Sequence, residues 1–129
     1  MMLLRKYMSL LGVGSALIDL ILPKSHYHKG ELIKGHFLIK GGTIEQRLRR
    51  IECDLMRIDH KTEKETVVDT VTILSSKVIH SEETNHLHFT FQLPETLTPS
   101  SQSISYRFKT RLVFNEGVES KDLDIIYVH

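Results

Sequence analysis

The chain has 129 residues, 40% of them hydrophobic and 26% charged, the length and balance of one globular domain with a core of its own. Seventeen basic against sixteen acidic residues leave a net charge of +1, which excludes a general electrostatic pull toward nucleic acid. One cysteine, Cys53, excludes an internal disulfide. No apolar run reaches the roughly 18 residues a spanning helix needs, and the start lacks a signal-peptide pattern. A cytoplasmic protein is expected.

Leu3, Leu4, Tyr7, Met8 and Leu11 recur at spacings of three and four, which predicts a short amphipathic helix ended by Gly12 and Gly14. Such a helix is too short to hold alone and must dock on something. It is set apart with its glycine hinge as a segment 1–14, and residues 15–129 are expected to form the domain proper. From Ser15 the period becomes two. Ala16, Ile18, Leu20 and Leu22 alternate with Leu17, Asp19 and Ile21 up to Pro23, and 25–30 reads as a polar connection. Leu32 to Lys40 is a second strand, followed by a Gly41-Gly42 turn. The stretch 44–50 reads polar. Ile51, Cys53 and Leu55 then share one face, with Glu52, Asp54 and Met56 on the other.

After a charged turn at 59–65, the β-branched stretch 66–80 has an irregular pattern. It predicts two strands or a bulged one, broken near Ser75-Ser76. Leu87, Phe89, Phe91 and Leu93 alternate cleanly with His86, His88, Thr90 and Gln92. Ile104, Tyr106, Phe108, Thr110, Leu112 and Phe114 line one face of a long strand, and Ser105, Arg107, Lys109, Arg111 and Val113 the other. An Asn-Glu-Gly turn at 115–117 leads to a closing strand over 122–128, where Leu123, Ile125 and Tyr127 oppose Asp124, Ile126 and Val128. Seven or eight strands at this spacing predict an all-β, antiparallel β-sandwich with a short N-terminal helix.

Four stretches give the chain a family likeness. They are Gly-Val-Gly-Ser-Ala at 12–16; Gly30-Glu31 with Lys34-Gly35 to Ile39 and then Lys40-Gly41-Gly42, Ile44-Glu45-Gln46; Phe89-Thr90-Phe91-Gln92-Leu93-Pro94 followed by Thr98-Pro99; and the Ser105-Tyr106 strand leading to a closing strand rich in Asp and aliphatics. In these the chain resembles the sporulation-control protein family, SpoOM, which is related to arrestins. The likeness runs over nearly the whole chain. It implies an arrestin-like, immunoglobulin-like sandwich in the bacterial cytoplasm, without enzymatic activity, controlling sporulation or a stress response. Members of the family are longer, with a second arrestin-like half, and this chain matches the N-terminal half.

The residues themselves offer little chemistry. Cys53 lies in an apolar alternation and reads as a small core residue. Among eight histidines, His86 and His88 share one strand face and His26 and His28 share a loop, but two ligands do not make a zinc site, and no metal or cofactor is expected. Lys40-Gly41-Gly42-Thr43 lacks the spacing of a phosphate loop, and no Gly-x-Ser-x-Gly element occurs. Arg107, Lys109 and Arg111 form a basic stripe to which Arg57 is a further candidate. Stacking aromatics are missing from that face, so nucleic acid is not expected. Glu52, Asp54 and Asp124 are the acidic residues expected to pair across strands with these bases. The reading that remains is a scaffold or adaptor for a protein partner. Its candidate contacts are Arg107, Lys109 and Arg111, with Leu4, Tyr7, Met8 and Leu11 of the helix as a second surface. A second copy of the chain is a further candidate partner. The alternative is a peripheral membrane module held by the N-terminal segment.

Overall fold

A computed structural model describes residues 14–115, 117 and 119–129. The expected helix, with Leu4, Tyr7, Met8 and Leu11, lies outside the described residues. The described residues form nine strands: β1 (Leu17–Ile21), β2 (His26–Tyr27), β3 (Leu32–Lys40), β4 (Gln46–Asp59), β5 (Lys64–Leu74), β6 (Val78–Ile79), β7 (Thr84–Gln92), β8 (Ile104–Phe114) and β9 (Glu119–Val128). They form a small sheet ordered β1-β3-β7 and a large sheet ordered β2-β9-β8-β4-β5, with β6 paired to β4. The ladders are antiparallel except for the short β2–β9 pair, which is parallel.

The alternation of residue types decides which faces meet. Ala16, Ile18 and Leu20, Ile33, Phe37 and Ile39, and Phe89 and Phe91 point inward from the small sheet. Ile51, Cys53 and Leu55, Tyr106, Phe108 and Leu112, and Ile126 and Val128 meet them from the large one. Phe108 joins the layers, edge-on to Phe89 at 5.5 Å and to Phe91 at 5.1 Å between ring centroids. The irregular stretch 66–80 resolves into a break before β6 and a register shift in the β4–β5 ladder between Leu55 and Met56.

Two expectations are corrected. β4 begins at Gln46, because Leu48 enters the core at 1% exposure and the buried Gln46 side chain accepts the Ala16 amide at 2.8 Å. The polar connection 25–30 contains β2, which β9 holds from about a hundred residues away and which buries Tyr27. The same economy closes the β1 side. Ile18 donates its amide to Ser120 Oγ at 3.3 Å and Leu20 donates to Asp122 Oδ2 at 2.9 Å, so side chains of β9 occupy these two amides of β1 and Gln46 of β4 occupies that of Ala16 just before it.

Candidate functional site on the outer face of the large sheet

On β9 the inward positions are Asp122, Asp124, Ile126 and Val128, and the opposite face carries Leu123, Ile125 and Tyr127 into solvent. Their exposures of 55%, 62% and 45% are high for large apolar side chains, and alternate positions on one strand make them one rail rather than scattered residues. His26 of β2 extends the rail, stacked on Tyr127 at 4.7 Å. The β8–β9 register sets Arg107 opposite Ile125, Lys109 opposite Leu123 and Arg111 opposite Lys121. The predicted basic stripe therefore borders the rail.

Strands β4 and β5 neutralise most of that stripe. Arg111 and Arg50 both grip Glu52, whose carboxyl is held below its usual range chiefly by Arg111 and then by Arg50. Arg107 donates to Glu65 at 3.0 Å, and Lys109 stands opposite Asp54. Pairs this close to solvent contribute about 1 kcal/mol or less each, so they fix side-chain positions more than they stabilise the fold. Two expectations fail here. Arg57 is the cross-strand partner of Tyr106 and belongs to the other face, and Asp124 points inward, away from the bases. Sequence reasoning also left the rail unidentified. The closing strand is apolar on both faces, and only the position of the small sheet decides which one is covered.

Asp19, Asp122 and Asp124 meet where β1 crosses β9, their carboxylate oxygens all within 4.8 Å of one another. Burial, then Asp122 and Asp19, raise the Asp124 carboxyl to about 7, and one of its oxygens is enclosed without a hydrogen-bond partner. The folded chain therefore keeps a proton that the unfolded chain releases near 3.8. This contribution to stability is complete below about pH 4 and is lost as pH rises through about 7. Denaturant melts between pH 4 and 8 are expected to show that decline, and Asp124→Asn is expected to flatten it. An unchanged slope in the variant would refute the assignment. Nearby, burial pushes the Cys53 thiol up to about 12, which leaves no thiolate for nucleophilic chemistry.

The histidines collect at two places. His26 Nδ1 lies 2.7 Å from His129 Nε2, and the His28 ring is 6.1 Å from that of His129. On the outer face of the small sheet, His36 is the cross-strand partner of His88, and its ring stands 5.4 Å from that of His86.

A family model described as SpoOM protein matches residues 4–129. The sporulation-control protein spo0M of Bacillus subtilis (strain 168) is 29% identical over 123 residues, which are 91% of this chain and 48% of that protein. The crystal structure of the sporulation control protein Spo0M from Bacillus subtilis superposes with a TM-score of 0.82 at 28% identity, covering 91% of this chain and 50% of that one. A Niemann-Pick type C2 protein from the Japanese carpenter ant shares the fold alone, with a TM-score of 0.61 at 6% identity over 89% of this chain and 93% of its own. The chain thus spans about half the length of the sporulation-control relative and shares its fold over that span. It belongs to the SpoOM protein family.

Proposed function

We propose that the chain is a non-enzymatic adaptor of the cytoplasm that acts in the control of sporulation by docking a protein partner on its β8–β9 face. The family membership supports the pathway. One observation carries the site: Leu123, Ile125 and Tyr127 stand exposed in a row beside arginines already held in place by Glu52 and Glu65. Protein interfaces have this composition, an apolar and aromatic centre with arginine at its border and water-exposed charge beyond. Because the arginines are pre-ordered, less side-chain entropy is lost on docking. The partner is then gripped by the apolar rail and oriented by the charges.

The test replaces the gene in its own sporulating host with a Leu123→Ser/Ile125→Ser version. Both positions are solvent-facing, so the purified variant is expected to melt within a few degrees of the parent, and the yield of heat-resistant spores is expected to change about tenfold. A folded variant with parental spore yield would remove the rail from the function. Arg107→Glu/Lys109→Glu/Arg111→Glu is expected to act more weakly, because rim charges alter association more than affinity.

A further inference from the structure

We propose that His36, His86 and His88 bind a transition-metal dication of the zinc class on the outer face of the small sheet. This site lies on the opposite side of the molecule from the docking face and does not depend on it.

Backbone pairing places the three side chains. β3 and β7 run in unbroken antiparallel register from Leu32 opposite Gln92 to Lys40 opposite Thr84, with no bulge. His86 and His88, two apart, stand about 6.6 Å apart along β7 on one face. His36 lies directly across from His88 and diagonally from His86, whose ring it faces at 5.4 Å. Directly opposed residues have Cβ atoms about 5 Å apart. Three imidazoles at three corners of such a rectangle can converge on one ion with bonds of about 2.0–2.1 Å, the length zinc takes to histidine nitrogen. The cavity between them is about 380 Å³ and is floored by Gly35 and Leu87.

The rings are also available. The other histidine nitrogens that come close to a polar group are engaged: His26 with His129, His60 with Ser105 at 2.8 Å, and His80 with Glu45 at 2.7 Å. Among the described residues, no side-chain hydrogen bond holds the ring of His36, His86 or His88. In their present rotamers the three sets of nitrogens do not all lie within 4.8 Å of one another. His86 and His88 are exposed and His36 is half-buried, so rotation of the rings is what gathers them, and the ion itself assembles the site. A ligand set of imidazoles without thiolate or carboxylate favours zinc, nickel or copper over magnesium or calcium. Asp19 on β1 lies within electrostatic reach of His36, so its negative charge favours a cation there. The fourth tetrahedral position falls to water.

The experiment titrates tag-free full chain with Zn²⁺ by calorimetry and with Co²⁺ by visible spectroscopy, and repeats both on variants. The expected result is one ion per chain, with the visible bands of low-coordinate cobalt. His36→Asn, His86→Asn and His88→Asn are each expected to weaken binding about tenfold or more. All three lie on a solvent-facing sheet surface, and metal-free melting curves establish that the variants stay folded. A His26→Asn/His129→Asn double variant is expected to bind like the parent. The proposal is overturned by no stoichiometric binding in the parent, by parental affinity in the His36 variant, or by loss of binding that follows the His26/His129 pair.

Discussion

Phe108→Ala is expected to cost about 3–5 kcal/mol of folding free energy. Phe108 is fully buried and touches Phe89 and Phe91 edge-on, so it is the ring on which the two sheets meet. Truncation removes its transfer free energy and two aromatic contacts, and it leaves a cavity between ladders that hydrogen bonding holds in place. Against a total stability of about 5–15 kcal/mol, that is a large fraction. Urea denaturation at pH 6 is the measurement, with an expected fall in midpoint of about 2 M at an unchanged slope. A loss under about 1.5 kcal/mol would mean that the sheets close over the gap and that Phe108 is replaceable.

Gly42→Ala is expected to be the most damaging single-methyl addition, at about 2–4 kcal/mol. A Cβ at this position runs into the Gly14 carbonyl oxygen and comes within 2.6 Å of the Ser15 carbonyl carbon, both backbone atoms that cannot swing aside. The same turn carries hydrogen bonds that join three segments. Thr43 donates its amide to Gly14 at 2.8 Å, and Glu82 donates to the Gly42 carbonyl at 3.1 Å. Moving the chain to admit the methyl breaks them together. Thermal melting of the variant beside Gly117→Ala separates steric contact from backbone conformation, because nothing lies within 4 Å of a Cβ at Gly117, whose φ is +80°. Equal effects at the two glycines would refute the steric account.

How much of this was legible in the sequence depended on whether a strand has one wet face. β3, β7 and β8 do: alternation gave the core residues of all three and the boundaries of β3 and β8, while β7 starts at Thr84, inside the stretch that reads as a turn. β4 begins before its apolar pattern becomes visible, because Gln46 is buried by capping an amide thirty residues away. β2 has no local signal, since its two residues are held entirely by β9. The basic stripe followed from spacing alone. Its neutralisation by Glu52 and Glu65 required the strand order, as did the exposure of Ile125 and the placement of His36 beside His88. Pairing between strands distant in the chain is the information that periodicity within one strand does not contain.

The closure of β1 by Gln46, Ser120 and Asp122 bears on how this molecule can assemble. A sandwich with bare margins on both sides can add strands in either direction and so propagate into fibres. Here the β1 margin offers an incoming strand no free amide at Ala16, Ile18 or Leu20, while β7 and β5 end their sheets at the other margin. Strand addition along β1 would therefore have to displace three side-chain hydrogen bonds, whereas an edge with bare amides asks for no such exchange.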